Sequence, residues 1–235
     1  KIFEQNESGD RWYVGGVMNT CFNCVDRHVE AGHGARIAFI HDSPMTGTKS
    51  QISYAELLDR VQCVATMMQD KGIEKGDRVI IYMPMIVETA IAALACARLG
   101  AIHSIVFGGF AAAELATRLD DAKPKLVLAA SCGLEPGRII DYKPLLDGAI
   151  ELASHKPEAC IIWQRDEAPA PLISGRDFEW QPLENQARAA DRRAICVSVL
   201  ATDPLYILYT SGTTGVPKGV VRDNGGHLVA LSWAM

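Results

Sequence analysis

The chain has 235 residues, of which 49% are apolar and 22% are charged, a composition typical of an ordinary globular protein with a sizeable core. The net charge is −5, and the 23 basic residues are scattered without a run, so the sequence predicts neither a nucleic-acid partner nor an acidic membrane partner. The longest uncharged apolar stretch, residues 99–113, is too short to span a bilayer, and no charged-then-apolar leader opens the chain. We expect a cytoplasmic or organellar-matrix protein.

Hydrophobic patterning predicts strands and helices in regular alternation after an N-terminal helix and a hairpin. In chain order the predicted elements are helix 20–29, strands 37–40 and 50–52, helix 53–72, strand 79–83, helix 84–100, strand 102–107, helix 111–121, strand 126–130, helix 141–153, strand 159–163, helix 183–190, strands 205–208 and 219–222, and helix 226–235. The alternation of apolar strands with helices favours an α/β fold, with a layered, mainly parallel sheet flanked by helices. Ligands of such sheets gather at the carboxyl ends of the strands.

Two local features refine this prediction. Ser53 and Glu56 form a capping box at the start of one helix, and Gly72 supplies its stop. Residues 165–182 contain prolines and are predicted to be a loop whose acidic side chains are solvated.

Seven cysteines at irregular spacing do not indicate a disulfide framework, so we expect reduced thiols. Cys21 and Cys24 form a Cys-x-x-Cys pattern, and His28 falls near the same face of the predicted helix, as in some metal and redox sites. No second pair of ligands accompanies them, and the segment is predicted to be helical. The sequence therefore favours buried structural cysteines, and we assign no metal ligand in this chain.

A strand end followed by a loop of hydroxyl residues, glycines and a lysine occupies residues 206–219. Glycines let the backbone approach an anion, hydroxyl groups donate hydrogen bonds beside the loop amides, and a lysine adds a positive charge. The predicted phosphate-binding residues are Thr210, Ser211, Gly212, Thr213, Thr214, Gly215 and Lys218. The spacing does not match the common P-loop, Gly-x4-Gly-Lys-Ser/Thr. From the residues alone, a Ser- and Gly-rich turn that binds nothing stays open as the alternative.

Residues 209–219 read Tyr-Thr-Ser-Gly-Thr-Thr-Gly-Val-Pro-Lys-Gly, which resembles at every position the signature phosphate loop of the adenylate-forming acyl-CoA synthetases. Residues 220–227 are more similar to the propionyl-CoA synthetase branch of that family than to the acetyl-CoA branch. The similarity extends over most of the chain. It implies that residues 1–235 are an incomplete part of the large N-terminal domain, ending just after the phosphate loop and without the small C-terminal domain.

The same resemblance implies a coenzyme A site. In the family, a Phe-Gly-Gly-Phe element like residues 107–110 lines the side where coenzyme A enters, and Gly108 and Gly109 would let the pantetheine pass close to the backbone. A tight strand-to-helix turn explains these glycines equally well. Arg138 matches the second of two arginines that face the coenzyme A nucleotide in acetyl-CoA synthetases. Glu135 stands in place of the first, and because an acidic residue is a poor phosphate neighbour, we keep Arg138 alone as a candidate.

The resemblance further implies ATP-dependent activation of a short-chain carboxylate, with propionate preferred and acetate next. The carboxylate attacks the α-phosphate of ATP and releases pyrophosphate, and coenzyme A then converts the acyl-adenylate into a thioester. The loop would position the β- and γ-phosphates together with Mg²⁺. None of the loop residues needs to act as a nucleophile or base, so we assign no catalytic residue in this chain.

Two other functions stay open at this point. The intact protein could be an adenylating ligase for aryl, fatty or amino acids, or a non-catalytic nucleotide-binding module. In the family the adenine, ribose and acyl pockets and the adenylation lysine lie beyond the phosphate loop. We therefore expect the 235 residues alone to lack synthetase activity, and we expect only small molecules as partners: ATP, coenzyme A and the carboxylate, with Mg²⁺.

Overall fold

The structure is a computed structural model, and it describes residues 2–6, 9–210 and 217–234. Its strands are β1 (Phe3–Asn6), β2 (Gly9–Trp12), β3 (Val17–Met18), β4 (Ile37–Ser43), β5 (Thr48–Ser53), β6 (Arg78–Met83), β7 (Ile102–Phe107), β8 (Leu126–Ala130), β9 (Cys132–Glu135), β10 (Arg138–Asp141), β11 (Ala159–Trp163), β12 (Asp177–Glu179), β13 (Val199–Leu200), β14 (Pro204–Thr210) and β15 (Lys218–Asp223). Its α-helices are α1 (Tyr54–Asp70), α2 (Val87–Leu99), α3 (Ala112–Ala122), α4 (Tyr142–Leu152), α5 (Trp180–Ala189) and α6 (Asn224–Ala234). Helical turns with π-type hydrogen bonding cover Phe22–Asp26 and Val29–His33.

A seven-stranded sheet, in the order β12-β11-β8-β6-β7-β14-β15, forms the centre of the described part of the chain. Each neighbouring pair is parallel except β14 with β15. The middle strands are apolar and almost wholly buried, as expected for a parallel sheet that is covered on both faces. The predicted α/β fold, a layered and mainly parallel sheet flanked by helices, is confirmed. None of the described helices combines the length and apolarity that a bilayer crossing needs.

The caps predicted from the sequence set the ends of α1. The Ser53 hydroxyl accepts a hydrogen bond from the Glu56 amide at 3.2 Å, so it satisfies one amide of the first turn. Gly72 follows the helix with φ of +77°, a left-handed conformation that glycine adopts without steric cost. The helix buries the face that carries Leu57 and Val61 against the core.

Two helix starts differ from the prediction by three residues. Residue Ile86 is extended (φ −119°, ψ 165°), so α2 begins at Val87 and not at Pro84. The Pro84 carbonyl accepts the Thr89 hydroxyl at 2.6 Å, which ties the intervening turn to the helix. Helix α5 begins at Trp180, earlier than predicted, because the Trp180 indole is fully buried and donates to Glu184 at 2.8 Å.

The predicted loop 165–182 contains β12, and its acidic residues are not all solvated. The side chain of Asp177 is 0% exposed and lies 2.9 Å from the ammonium group of Lys143, itself 1% exposed. The Arg176 guanidinium also contacts this carboxylate, at 2.6 Å. The prediction for Asp177 was wrong, because hydrophobic patterning carries no record of an ion pair between residues 34 positions apart. A buried carboxylate is tolerated here because cations surround it.

Replacing Lys143 by methionine is expected to lower the free energy of unfolding by about 2 kcal/mol at pH 7. The variant loses the charged bonds to Asp177 and Asp147, while Arg176 still contacts both carboxylates. Burial alone would raise the pKa of Asp177, but hydrogen bonds from Arg176, the Ile173 amide and Lys143 hold it below its usual value. A carboxyl group with a lowered pKa stabilises the fold above its unfolded pKa and loses that contribution as the pH falls. Chemical unfolding from pH 7 to pH 2 should therefore show the deficit of K143M shrinking below about pH 4.

The exposed Lys49–Asp42 pair offers a matched control. The variant K49M should change the free energy of unfolding by less than about 0.5 kcal/mol. Equal losses in K143M and K49M would contradict the structural role given to Lys143.

Candidate functional site

The predicted phosphate loop connects two strands at the edge of the sheet. Strand β14 runs parallel to β7, and β15 returns antiparallel to it, with Thr210 directly opposite Lys218. The two ends of the loop are therefore held together by a strand pair. The loop residues Ser211, Gly212, Thr213, Thr214 and Gly215 lie outside the described residues, and their roles stay predictions.

Lys218 occupies the first position of β15, and its side chain is exposed. Within the described ranges its ammonium group makes no ion pair. An ammonium at the closing pair of a hairpin can reach an anion held by the connecting loop, because the lysine stem has four rotatable carbons.

A contact from α3 supports the strand that enters the loop. The Tyr209 hydroxyl donates to the Asp121 carboxylate at 2.6 Å, and the Arg118 guanidinium lies 5.5 Å from the centre of the Tyr209 ring. Burial, and then the Asp121 carboxylate, raise the pKa of Tyr209, so the phenol stays protonated as the donor. Asp121 also lies near the opposite strand, since a Cβ added at Gly219 would be 3.3 Å from its carboxylate. The helix thus clamps both strands just before the loop.

Removing the Tyr209 hydroxyl in Y209F should lower the free energy of unfolding by about 1 kcal/mol, because the bond to Asp121 is charge-assisted but partly exposed. Denaturant unfolding measures the loss. The variant D121N keeps an acceptor for the phenol and should lose less than Y209F. A Y209F protein as stable as the wild type would contradict the clamp.

The turn after β7, where coenzyme A is predicted to pass, encloses a tyrosine ring. A Cβ at Gly108 would lie 2.3 Å from the Cε2 atom of Tyr142, and a Cβ at Gly133 would lie 2.1 Å from its hydroxyl oxygen. Gly109 has φ of +97°, in the left-handed region. Sequence patterns did not single out Tyr142 or Gly133, because they lie far along the chain from the Gly108 turn. The glycines at 108 and 133 therefore have a packing role, and this geometry favours the tight-turn explanation at Gly108.

Two hydrogen bonds of the Tyr82 hydroxyl hold the same turn in place. Its hydroxyl accepts from the Gly109 amide at 3.2 Å and donates to the Phe110 carbonyl at 3.0 Å. Burial raises the pKa of Tyr82 to about 12, so the phenol keeps its proton. Phe107, at the end of β7, is 66% exposed. The turn therefore presents one exposed aromatic ring on a rigid backbone.

Arg138 lies in a short hairpin that the hydrophobic patterning did not predict. Strands β9 and β10 pair with Arg138 opposite Glu135, and their side chains bond at 2.5 and 2.8 Å. Arg138 is 68% exposed, so water screens this pair. The hairpin reaches the glycine turn, since the Cδ1 atom of Ile140 would be 3.9 Å from a Cβ at Gly109. Arg138 and Gly109 thus belong to one region, but a phosphate at Arg138 would have to compete with the Glu135 carboxylate.

The sequence was compared with known protein families. Residues 25–235 match the family described as AMP-binding enzyme. The chain belongs to the AMP-binding enzyme family.

The chain is also similar to several individual members of the AMP-binding family. It is 56% identical over 225 residues to an uncharacterised protein of Pseudomonas aeruginosa, with 96% of the chain and 35% of that protein covered. It is 52% identical to the mitochondrial acyl-CoA synthetase short-chain family member 3 of Rattus norvegicus, covering 95% of the chain and 32% of that protein. It is 45% identical to the propionate–CoA ligase of Escherichia coli, covering 96% and 35%. The chain thus spans about a third of the length of these relatives.

A cleft of about 660 Å³ opens where the chain leaves the carboxyl ends of β6 and β11. Its charged lining residues include Arg60 and Arg165, and both form ion pairs within the protein. Arg60 pairs with Glu88 and Glu184, and Arg165 with Glu167. The lining carries more acidic side chains (Asp42, Glu56, Glu88 and Glu167) than basic ones, so this cleft does not offer an anion site.

An apolar cavity of about 320 Å³ lies against β7, β14 and α6. The Tyr206 ring packs between His103 (5.7 Å between ring centroids) and His227 (5.2 Å). Burial, and then His227, lower the pKa of His103 to about 4, so its imidazole is neutral at pH 7. Its Nδ1 atom is buried without a hydrogen-bond partner in the described part of the chain. The described residues that line this cavity include no lysine or arginine, so it lacks a cation that could bind phosphate. The loop end of β14 differs, because Lys218 stands there opposite Thr210.

Proposed function

We propose that the intact protein activates a short-chain carboxylate with ATP to an acyl-adenylate and then to an acyl-CoA thioester. The observation that carries the proposal is the complete eleven-residue phosphate-loop motif at residues 209–219, on a hairpin closed by the Thr210–Lys218 pair. Relatives at 52% and 45% identity named as a short-chain acyl-CoA synthetase and a propionate–CoA ligase support it.

In this proposal the loop residues hold the β- and γ-phosphates and Lys218 neutralises charge on the departing pyrophosphate. Donors that are aimed in advance at developing charge lower the barrier without any proton transfer. The Tyr209–Asp121 bond keeps the end of β14 in place, so that the loop donors meet the phosphates in one geometry.

A magnesium ion, when bound with ATP, would supply Lewis-acid stabilisation of the phosphate oxygens. The described residues at the loop end fit this ion poorly, because the Asp121 carboxylate already accepts the Tyr209 hydroxyl and the Arg118 guanidinium contacts the same tyrosine. We therefore assign no residue of this chain to Mg²⁺.

For coenzyme A we propose the turn at Gly108 and Gly109 with the Arg138 hairpin. The turn is held by Tyr82 and Tyr142, and the hairpin contacts it through Ile140. The Tyr142 ring fills the side-chain position of Gly108, but a Cβ at Gly109 would meet no atom closer than 3.9 Å, so an extended pantetheine could pass the turn at Gly109. Arg138 offers a guanidinium to a phosphate if Glu135 is displaced.

We further propose propionate as the preferred acid and acetate as the next. The test is thioester formation by the intact protein with acetate, propionate and butyrate, analysed as kcat/KM. Propionate should exceed acetate by about tenfold or more, since one methylene in an apolar pocket changes binding by about 1–3 kcal/mol. A preference for aryl, fatty or amino acids would favour the second ligase hypothesis, and nucleotide binding without any thioester would favour the non-catalytic module.

The span of about a third of the relatives' length supports a proposal on organisation: residues 1–235 form an incomplete N-terminal domain that is inactive alone. Pyrophosphate exchange by the isolated chain would overturn it.

We also propose that the protein works in the cytoplasm, or in the mitochondrial matrix of a eukaryote, on small molecules without nucleic-acid or membrane partners. Cell fractionation tests the location.

A further inference from the structure

Two cysteines that are 175 positions apart in the sequence meet in the core of the described chain. The Sγ atoms of Cys21 and Cys196 and a carboxylate oxygen of Asp26 all lie within 4.8 Å of one another. The Sγ atoms are 4.0 and 3.8 Å from the same Asp26 oxygen. Cys21 is fully buried, whereas Cys196 is half-buried. Cys24, the other member of the Cys-x-x-Cys pattern, is not part of this group.

Hydrogen bonds from Arg98 and Asn19 hold the two cysteine-bearing segments close together. The Arg98 guanidinium binds both Asp26 oxygens, at 2.9 and 3.0 Å, and also donates to the Cys21 sulfur at 3.6 Å. The Asn19 amide donates to the Ala97, Arg98 and Val197 carbonyls, so it ties the Cys21 and Cys196 segments to the end of α2. The two sulfurs therefore approach one another on a fixed backbone.

The groups around the pair shift the pKa values of the two thiols in opposite directions. A hydrogen bond from Cys21, and then the Arg98 guanidinium, lower the pKa of Cys196, whereas burial and the neighbouring Asp26 carboxylate act in the opposite direction and do not cancel the lowering. The hydrogen bond with Cys196 and then burial raise the pKa of Cys21. The thiolate is the nucleophile in thiol–disulfide exchange, so Cys196, which also reaches solvent, is suited to attack and Cys21 to follow.

The same three groups could be considered as a cation site, but the guanidinium argues against it. A metal ion between the sulfurs and Asp26 would lie next to Arg98, which already binds both carboxylate oxygens. Structural zinc sites in addition use four protein ligands, and the described residues here offer three. A disulfide needs only the two sulfurs.

We propose that Cys21 and Cys196 form a thiol–disulfide modification site, whose oxidant is a low-molecular-weight disulfide such as oxidised glutathione. The Cys196 thiolate attacks one sulfur of the oxidant, which breaks its S–S bond and releases one thiolate. The Cys21 sulfur, losing its proton to solvent, then attacks the Cys196 sulfur of the mixed disulfide. The new Cys21–Cys196 bond forms, the second thiolate leaves, and the oxidant has been reduced to two thiols.

The bond would join the segment after β3 to the segment that leads through β13 into β14. Strands β3 and β13 already pair, with Val199 opposite Met18. The covalent link would therefore reinforce an existing contact and leave the register of the sheet unchanged.

The test is oxidation of the intact protein with oxidised glutathione, followed by alkylation of free thiols and peptide mapping by mass spectrometry. We expect a Cys21–Cys196 cross-linked peptide that disappears on reduction. In C21S we expect a glutathione adduct to accumulate on Cys196, and in C196S we expect neither cross-link nor adduct on Cys21. The control C63S removes a buried cysteine of α1 outside the group and should leave the cross-link unchanged.

A second measurement does not depend on the cross-link. The rate of alkylation of Cys196 as a function of pH should have a midpoint below that of a free cysteine. The midpoint should rise in C21A, which removes the hydrogen-bond donor at position 21, and should rise less in C21S, which keeps a hydroxyl donor there. The proposal is overturned if the native protein yields no Cys21–Cys196 peptide, if Cys24 pairs instead, or if one equivalent of Zn²⁺ survives dialysis and blocks the cross-link.

Discussion

Replacing Lys218 by alanine in the intact protein is expected to lower kcat/KM for carboxylate activation at least 100-fold. Losing one positioned donor to a developing anion costs about 10²–10³ in rate, and Lys218 is a cation at the closing pair of the phosphate-loop hairpin. Because its side chain is exposed, the free energy of unfolding should change by less than about 0.5 kcal/mol. Steady-state kinetics together with denaturant unfolding separate the two effects.

Two control variants sharpen this result. In K218R the charge is kept, so part of the activity should return, although a planar guanidinium does not replace a compact ammonium group fully. In K49A the lysine removed pairs with Asp42 on the distant β4–β5 hairpin, and activity should be unchanged. A K218A protein with wild-type kinetics would show that Lys218 does not face the phosphates.

The second large effect is expected from G108A. The new methyl group would lie 2.3 Å from the Tyr142 ring, which is also packed tightly against Gly133. Overpacking of this kind costs about 3 kcal/mol of unfolding free energy. If coenzyme A passes along the turn, the KM for coenzyme A should rise about tenfold as well, with the KM for ATP less affected.

The chain offers an internal control and a coupling test for Gly108. In G148A the added methyl group, on the same helix as Tyr142, meets only the Cβ of Ala112 at 3.4 Å, and stability should change by less than about 1 kcal/mol. The double variant G108A/G133A should lose less than the sum of its single variants, because both expel the same ring. Additive losses would contradict the shared contact with Tyr142.

Much of the fold could be predicted from the sequence where one physical cause dominates. The predicted strands 126–130 and 159–163 coincide with β8 and β11, because short apolar runs between turn residues are buried from both faces. The predicted strand 102–107 coincides with β7, although Ile105 and Phe107 of that strand are exposed. The return strand after the phosphate loop was also predicted and is β15. The β9–β10 hairpin was not, because strands of four residues are too short to show a clear hydrophobic pattern.

The candidate site divides in the same way. The phosphate-loop motif is contiguous, so residues 209–219 could be identified from sequence alone. The partner that holds the entering strand could not, because Asp121 is 88 positions from Tyr209. The cysteine group could not be predicted either, since Cys196 is 170 positions from Asp26. Contacts at such separations leave no periodic signal in one sequence. Glu135, which replaces an arginine of the family pattern, is the residue that pairs with Arg138 in the structure.

Propionate-dependent exchange of labelled pyrophosphate into ATP, measured on the intact protein without coenzyme A, tests the central claim most directly. Adenylate formation is reversible and releases pyrophosphate, so we predict exchange that requires both propionate and Mg²⁺ and that falls at least 100-fold in K218A. Exchange that is absent with every carboxylate, or release of ADP and phosphate in place of AMP and pyrophosphate, would contradict the assignment of this hairpin to acyl adenylation.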